Sequence, residues 1–258
     1  MKKNILLYYF LLLLCSTKSF SQSGSADKGT IQFVFINTVK GVPVVLNDSM
    51  YSNPFGESYS IKNLKYYISH ITLANALKTA EKENYQLVDE SNPESKIFSI
   101  SCKPGTYTSV NFLLGVDSLH NVSGAQSNAL DPMNGMFWTW NSGYIIAKFE
   151  GSSAASSQVN NRFEYHIGGF SGVNNVLKNI SLPLPIDHLP TGQAGSLLTI
   201  HPNKTVTIFI EADLNKWWQQ PNDISIVTTP VCTTPGELAK KIADNYSKLF
   251  RIKNIVTQ

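Results

Sequence analysis

The sequence predicts an all-β fold: a single antiparallel β-sandwich with a long functional loop and a C-terminal helix. Short segments that alternate apolar and polar residues recur along the chain, with turn-forming residues between them. The polar segment 116–135 is longer than most structureless connections in a compact domain. An apolar stripe at helical spacing occurs near the C-terminus. Residues 22–258 have the length of one large all-β domain.

Six segments predict the strands of this sandwich. The first, Ile31–Asn37, is apolar on both faces, as in a strand that is covered on both sides. The other five keep the period of two that an extended backbone imposes on its side chains. They are 96–102, 108–114, 144–150, 178–184 and 205–212.

A further strand-like segment, residues 64–73, changes phase in its middle. Its apolar residues occupy even positions as far as Ile68 and odd positions from Ile71 onward. A one-residue bulge near Ser69-His70 would restore a single apolar face. We therefore predict a bulged strand, in which the bulge can re-aim the side chain of His70.

The C-terminal segment predicts a helix that docks on the sheet. Thr234-Pro235-Gly236-Glu237 has the pattern of a capping box with proline at the first helical position. An apolar stripe follows, formed by Leu238, Ile242, Tyr246 and Leu249. Before the helix, a short turn is expected around Asp213–Trp218. Of the adjacent Trp217 and Trp218 we expect one in the core and one half exposed.

The N-terminus predicts export. Lys2 and Lys3 precede an apolar run from Ile5 to Leu14, and small residues stand at the two recognition positions before a cleavage point after Ser21. Residues 1–21 are therefore expected to be a secretory signal peptide, too short to span a bilayer as a mature helix. Cys15 offers the alternative of a lipoprotein, ranked second because Leu14 stands where a small residue is expected.

The net charge gives no reason to expect a nucleic acid partner. Removing residues 1–21 takes away Lys2, Lys3 and Lys18 and no acidic residue, so 21 basic residues become 18, equal to the 18 acidic ones. A near-neutral mature chain does not call for nucleic acid or an anionic membrane.

Two cysteines would remain after cleavage, Cys102 and Cys232. Export to an oxidising compartment favours a disulfide between them, which would tie the C-terminal segment to the rest of the domain. The alternative is two unpaired cysteines, one buried and one exposed. The sequence leaves both open, because it does not measure their separation.

The working site is expected at the aromatic segment Met136–Tyr144, which holds Trp138 and Trp140 and follows the long polar loop. His166 shares the polar face of its predicted strand and precedes Gly168-Gly169, where another backbone can approach closely. His120 lies in the loop. Met136 is expected in the core, although a thioether beside imidazole would suit copper(I). The spacing of the histidines predicts no local metal motif, so a metal site must be assembled across strands.

Catalytic motifs are missing from the sequence. There is no Gly-x-Ser-x-Gly elbow, no His-Glu-x-x-His and no glycine-rich phosphate loop. Asp117 and Asp131 are more simply read as loop residues than as paired catalytic carboxylates, since Asp131-Pro132 starts a turn. We therefore expect that the protein is not an enzyme.

The segment Asp131–Tyr144, followed by Lys148-Phe149-Glu150-Gly151, resembles the MbnP-like family of exported proteins related to the copper-binding partner in methanobactin systems. The similarity continues in Phe163–Gly169. It also covers Leu64–Ser69, Leu114–Asp117 and the closing Ile242–Tyr246. It therefore spans nearly the whole mature chain.

The resemblance implies a β-sandwich that binds copper outside the cytoplasm. In the family, histidines act with a tryptophan that a di-haem enzyme of the MbnH type oxidises to kynurenine. Carried onto this chain, Trp138 or Trp140 is the candidate for oxidation, and His166 is the best-matched copper ligand. His120, His70 and Met136 are further candidate ligands, chosen by location.

Two functions therefore stay open. The first is a periplasmic or surface copper-binding protein that stores, delivers or acquires copper alongside an outer-membrane importer. The second is a structural or recognition module without metal, in which the aromatic segment is packed or serves as a platform for a partner.

Overall fold

The computed structural model describes residues 28–74, 84–140, 143–184 and 198–257. The expected signal peptide, residues 1–21 with Cys15, lies outside these ranges. Within them, no helix is both long and apolar enough to cross a membrane.

The described residues form sixteen strands, two α-helices and several 3-10 turns. The strands are β1 (Gly29–Val39), β2 (Val42–Pro43), β3 (Met50–Ser52), β4 (Ser58–Ala74), β5 (Tyr85–Asp89), β6 (Ile97–Cys102), β7 (Gly105–Tyr107), β8 (Ser109–Leu114), β9 (Phe137–Trp138), β10 (Gly143–Ser152), β11 (Arg162–Gly168), β12 (Lys178–Pro183), β13 (Leu198–Ile200), β14 (Thr205–Asp213), β15 (Val231–Cys232) and β16 (Phe250–Thr257). The helices are α1 (Ser118–Val122) and α2 (Glu237–Tyr246). The 3-10 turns are Pro93–Lys96, Asn128–Leu130, Pro132–Asn134, Val159–Asn161, Gly172–Asn174 and Leu214–Trp217.

Two sheets carry most of these strands. The larger sheet has the order β12-β8-β4-β10-β11-β15, with β3 and β5 also paired to β4 and β9 paired to β10. The smaller sheet has the order β16-β14-β1, and β2 and β6 pair with different stretches of β1. Strands β7 and β13 form a short ribbon of their own.

The predicted sandwich is confirmed, but its strands are not all antiparallel. Strand β1 pairs in parallel with β14, with Thr30 opposite Thr205 and Thr38 opposite Asp213. Strands β11 and β15 are also parallel. Parallel neighbours need a long crossover between them. Here the crossover from β1 to β14 contains most of the larger sheet, and local sequence patterns do not reveal such a return.

Four aromatic side chains show how the two sheets pack against each other. Phe35 and Phe250 come from the smaller sheet, whereas Tyr66 and Phe112 come from the larger one. The ring of Phe250 lies 5.3 Å from that of Phe112 and 5.7 Å from that of Tyr66, in edge-to-face contacts. All four side chains are buried, so this cluster is the centre of the sandwich core.

The alternation predicted for the strands is confirmed by the side chains that are buried. In β8 the buried residues are Val110, Phe112 and Leu114, and in β14 they include the alternating series from Val206 to Ala212. The predicted bulge is also present. The pairing of β4 with β8 shifts between Ser69 and Thr72, and His70 has a φ of 50°.

The long loop 116–135 is not structureless. It contains α1 and the 3-10 turns Asn128–Leu130 and Pro132–Asn134. Asp117 begins α1, because its side chain accepts a hydrogen bond from the backbone N–H of His120. Hydrogen bonds of this kind between side chains and the backbone give the segment local structure, although its polar composition alone predicts a loop.

The C-terminal helix is confirmed, but its predicted capping box is not formed. Helix α2 begins at Glu237, and Gly236 at the N-cap has a φ of 156° and no side-chain hydrogen bond. The predicted stripe does face the core: Ile242, Tyr246 and Leu249 are buried and Leu238 is partly buried. Strand β16, which follows the helix, was not predicted.

Trp217 and Trp218 are both buried, so the expectation that one is half exposed was wrong. Trp217 is the last residue of the 3-10 turn Leu214–Trp217, and Trp218 follows it directly. Successive side chains diverge less in such a turn than on a strand, so both indoles can be covered. Trp217 packs against Tyr246 of α2 at 5.4 Å between ring centroids. Trp218 packs against Tyr59 of β4 at 5.0 Å. Helix α2 thus covers a side that would otherwise face solvent.

The expected disulfide between Cys102 and Cys232 is not formed. Cys102 lies on β6 in the smaller sheet, where its thiol contacts the carbonyl oxygen of Gly29 at 3.7 Å. Cys232 lies on β15 in the larger sheet. Both are buried, so the alternative of one buried and one exposed cysteine was also wrong in part. Burial raises the pKa of the Cys232 thiol to about 11.

Candidate functional site

A tight turn before the aromatic segment Met136–Tyr144 positions this segment against the larger sheet, and two lysines hold the turn in place. The side chain of Asp131 accepts a hydrogen bond from the N–H of Met133 at the start of the turn Pro132–Asn134. Gly135 ends the turn with a φ of 70°, a conformation that glycine adopts without strain. Lys65 of β4 donates to the carbonyl of Asn134 at 3.3 Å, and Lys148 of β10 donates to that of Gly135 at 2.5 Å.

The turn places Trp138 against β11. Trp138 pairs with Gly143 of β10, and its indole lies directly on Gly168. A Cβ atom at position 168 would stand 2.4 Å from Cζ3 of Trp138, so any side chain there would displace the indole. His166 precedes Gly168 by two residues, and alternate residues of a strand share a face. Trp138 and His166 therefore lie next to each other on one face of the larger sheet.

His166 is grouped with two carboxylates. Its Nε2 lies 2.5 Å from Oε1 of Glu150 on the neighbouring β10. Glu164 lies directly opposite Glu150 in the pairing of β10 with β11. One ligand atom from each of His166, Glu150 and Glu164 lies within 4.8 Å of the other two. Both side chains of the His166–Glu150 pair are largely buried, with exposed fractions of 16% and 25%.

The local charges keep Glu150 ionised. Burial would raise its pKa, but hydrogen bonds from His166 and from Asn63 at 3.1 Å outweigh this effect, so the pKa of Glu150 is lowered. Arg162 pairs with Glu164 through a 3.3 Å contact at the rim. The group thus offers one imidazole and two carboxylates within reach of one another.

An open cleft of about 580 Å³ gives solvent access to this group. Its lining consists of Trp138, Trp140, Arg162, Glu164, His166, Val231, Thr233 and Thr234. The rings of Trp138 and Trp140 are 5.2 Å apart, and Trp140 is 62% exposed whereas Trp138 is 6% exposed. We call this region the tryptophan cleft.

The tryptophan cleft has a donor set that suits a transition metal. Imidazole nitrogen and carboxylate oxygen together bind zinc and copper(II) in proteins. An unmodified indole is not a metal ligand, so Trp138 and Trp140 form a wall of the cleft rather than part of the donor set.

The remaining predicted ligands lie elsewhere. Met136 is fully buried in the core and is not among the residues lining the tryptophan cleft. His70 and His120 both contact Asp117 and Tyr85, so they belong to a different group of side chains. Of the six predicted site residues, the structure brings together Trp138, Trp140 and His166.

Sequence reasoning missed Glu150 as a partner of His166. The relevant signal is the pairing of Glu150 with Glu164 across two strands, which depends on the register of β10 with β11. A sequence can show that an acidic residue and a histidine lie on the polar faces of two strands. It predicts a contact between them only when the register of the two strands is known.

Comparison with known proteins identifies the family. The MbnP family matches residues 28–234. Among solved structures, MbnP from Methylosinus trichosporium aligns with a TM-score of 0.52 and 12% sequence identity, covering 89% of this chain and 99% of that one. A search of curated proteins found no match. The match over residues 28–234 covers most of the chain, and the fold agrees with it, so this protein belongs to the MbnP family.

Proposed function

We propose that this protein is an extracytoplasmic copper-binding protein, not itself an enzyme, that stores, delivers or acquires copper. One observation carries the proposal: His166, Glu164 and Trp138 line a single solvent-accessible cleft, and a carboxylate oxygen of Glu150 lies within 4.8 Å of the ligand atoms of His166 and Glu164. The lysine-rich, apolar start of the chain supports export. Membership of the MbnP family supports a role in copper handling, alongside a di-haem partner of the MbnH type and an outer-membrane importer.

Trp138 is the better candidate for oxidation to kynurenine by that partner. Its indole lies beside His166, so a kynurenine there would place an aromatic amine and a ketone oxygen next to the imidazole. Trp140 is exposed and packs on Trp138 at 5.2 Å between ring centroids. A partner that docks on Trp140 would therefore reach Trp138 through one ring contact.

The donor set before oxidation is one nitrogen and two carboxylate oxygens, which favours copper(II) over the softer copper(I). Oxidation of Trp138 would supply the additional ligand that completes the site. We therefore expect tight copper binding to follow the modification rather than precede it.

The test is metal analysis and peptide mass spectrometry on one sample of protein purified from its native envelope. We expect stoichiometric copper and a mass gain at Trp138 that matches kynurenine. The same spectrum shows whether the chain begins at Gln22 or at a lipidated Cys15. A sample with unmodified tryptophans that takes up no copper, before or after exposure to a di-haem oxidase, would contradict the proposal.

Two variants locate the copper. His166→Ala should lower copper occupancy strongly while leaving the fold intact, because its side chain lines the cleft and is not part of the apolar core. His201→Ala is the matched control, since His201 is exposed on a turn away from the cleft. Equal copper occupancy in the two variants would show that the copper does not lie at His166.

The exposure of Trp140 favours one second candidate, a recognition module that uses the cleft without metal. An indole that is 62% exposed beside an open cleft is a typical anchor for a glycan or protein partner. In that case Trp140→Ala would abolish partner binding, and the metal content of the native protein would be negligible.

A further inference from the structure

Arg162 is the charged residue at the rim of the tryptophan cleft. It lies on β11 two residues before Glu164, and Glu164 lies two residues before His166. Alternate residues of a strand share a face and lie about 6.6 Å apart. All three side chains line the cleft. The order along the strand therefore places Arg162 beside Glu164 and farther from His166.

Arg162 already pairs with one of the two carboxylates that are grouped with His166. Its Nε lies 3.3 Å from Oε2 of Glu164. Glu164 lies directly opposite Glu150 in the pairing of β10 with β11, and like charges at such positions repel each other. The guanidinium offsets this repulsion. A metal ion that binds the Glu164 carboxylate must displace the guanidinium, because the two positive charges repel each other.

The two lysines on this face of the larger sheet are held by other partners. Lys148 lies opposite His166 in the pairing of β10 with β11, and its Nζ donates at 2.5 Å to a carbonyl oxygen of the turn before the aromatic segment. Lys65 forms an ion pair with Asp89 at 2.9 Å. In the part of the chain that the structure describes, neither lysine forms an ion pair with the two carboxylates grouped with His166. The charge that an entering ion must displace is therefore that of Arg162.

The Arg162 side chain can move away from Glu164 without disturbing the core. It is 56% exposed, whereas the Glu164 side chain is 28% exposed and the His166 side chain is 16% exposed. An exposed ion pair contributes little to stability, because water solvates the charge well when the pair separates. The pair can therefore be exchanged for a bound metal ion while β11 stays in place.

We propose that Arg162 regulates the metal affinity of the tryptophan cleft: it holds the Glu164 carboxylate when no metal is bound and releases it when a divalent ion enters. This inference rests on the copper site proposed above and adds the residue that competes with the ion. With the ion bound, Glu164 becomes a ligand and the guanidinium turns to solvent. Removing the charge of Arg162 should therefore tighten metal binding, although it deletes a side chain that lines the cleft.

The first test is a calorimetric titration of the full chain, with its tryptophans unmodified, with Cu²⁺. Arg162→Gln should bind Cu²⁺ about 3- to 10-fold more tightly than the parent, because it removes a positive charge near the ion that water and salt screen only in part. Arg162→Lys keeps the charge but loses the planar fork, so it should gain less. Lys103→Gln is the matched control. It removes one positive charge from an exposed position just after β6 of the smaller sheet, and it should bind as the parent does.

A double-mutant cycle shows whether the effect arises in the tryptophan cleft. In a His166→Ala background, Arg162→Gln should no longer tighten Cu²⁺ binding, because the ion has lost its imidazole ligand there. Without metal, Arg162→Gln should melt close to the parent, since an exposed ion pair contributes little to stability. A gain in affinity at unchanged stability separates competition for Glu164 from a general change in the fold.

The guanidinium can also be followed directly by ¹⁵N NMR. The chain has two arginines, Arg162 and Arg251, so two Nε–H signals are expected. Arg251 pairs with Glu211 in the smaller sheet and serves as the internal reference. Zn²⁺ is diamagnetic and takes imidazole and carboxylate ligands. Adding it should shift the Arg162 signal and speed its exchange with water, while the Arg251 signal stays in place.

The outcomes distinguish this inference from the copper site on which it rests. If Arg162→Gln binds Cu²⁺ no more tightly than the parent, the regulating role of Arg162 is overturned and the copper site stands. An Arg162 signal that does not respond to bound Zn²⁺ overturns the role as well. If neither the parent nor Arg162→Gln binds Cu²⁺, the copper site in the unmodified cleft fails, and the role of Arg162 fails with it.

Discussion

The two tryptophan pairs of this chain show how surroundings give one residue type two different roles. Trp217 and Trp218 are covered by strands on one side and by α2 on the other, and both are at most 2% exposed. Trp138 and Trp140 are also in ring contact, but they line an open cleft and Trp140 is 62% exposed. The first pair stabilises the domain, whereas the second pair has one face left for chemistry or binding.

The surroundings of the two pairs also differ in where their polar groups lie: inside the core for the first pair and beside the open cleft for the second. The indole N–H of Trp218 donates to the hydroxyl of Tyr59 at 3.2 Å, inside the core. Trp138 instead packs over a glycine, next to a histidine that is held by a carboxylate. Because the two pairs differ in burial, we expect substitutions at the buried pair to lower stability and substitutions at the cleft pair to affect binding.

The largest effect is expected from Trp218→Ala. Removing this indole leaves a cavity among Tyr59, Phe149 and Phe163, and such changes cost about 3–5 kcal/mol of the free energy of unfolding. Urea denaturation followed by circular dichroism measures the loss. A loss below about 1 kcal/mol would mean that the pair does not stabilise the domain in the way proposed.

A smaller loss is expected from Glu57→Gln, which removes a charged acceptor from the segment 225–227. The Glu57 carboxylate accepts hydrogen bonds from the backbone N–H groups of Ile226 and Val227 and from the hydroxyl of Ser225. Losing these charge-assisted bonds should cost about 1–3 kcal/mol in the free energy of unfolding at neutral pH.

The same residue gives a pH dependence with a definite sign. Burial would raise the pKa of Glu57, but hydrogen bonds from Ser225, Ile226, Asn53 and Val227 outweigh it, so the pKa is lowered from 4.5. A lowered pKa contributes stability that is present above pH 4.5 and is lost as the pH falls through the folded-state pKa. Denaturation midpoints measured from neutral to acid pH should therefore converge for the parent and Glu57→Gln. Parallel curves would contradict this assignment.

Gly168→Ala tests the contact on which the second pair depends. The new Cβ would meet Trp138 at 2.4 Å, so the indole must move. Overpacking of this kind costs about 1–3 kcal/mol in the free energy of unfolding. Copper occupancy and kynurenine formation should fall with it. An alanine variant that keeps full copper occupancy would show that the position of Trp138 is not required.

The smallest effect on stability is expected from Trp140→Ala. An exposed side chain of this kind contributes within about 0.5 kcal/mol to the free energy of unfolding. Oxidation of Trp138 by a di-haem partner should nevertheless slow, because the exposed ring contact is lost. Peptide mass spectrometry after timed exposure to the oxidase measures this rate, and an unchanged rate would exclude Trp140 from the route.

Local patterns were sufficient for much of the fold. The alternation in β8 and β14, the stripe of α2 and the bulge at His70 all follow from which side chains must be buried. The sequence did not reveal the parallel return of β14 or strand β16, because these depend on which strands become neighbours. The two buried tryptophans were mispredicted for a related reason: their cover comes from α2, which is distant in the chain.

The candidate site was only partly predictable for the same physical reason. Trp138 and Trp140 stood out through their density in the sequence, and His166 through its place on a polar strand face. Glu150 had no comparable signal, since its contact with His166 depends on the register of two strands. Tyr85 was not singled out at all, although it contacts His70, Asp117 and His120.

The parallel pairing of β1 with β14 has a consequence for how the chain is made. Gln32 and Thr207 are paired across 175 residues, so β1 can form this pairing only after β14 has been synthesised. At a synthesis rate of about 5–20 residues per second, that wait is roughly 9–35 s. Throughout it, an apolar strand has an open hydrogen-bonding edge on which other chains can aggregate. The pairing of β1 with β14 is therefore a late event in the assembly of the smaller sheet.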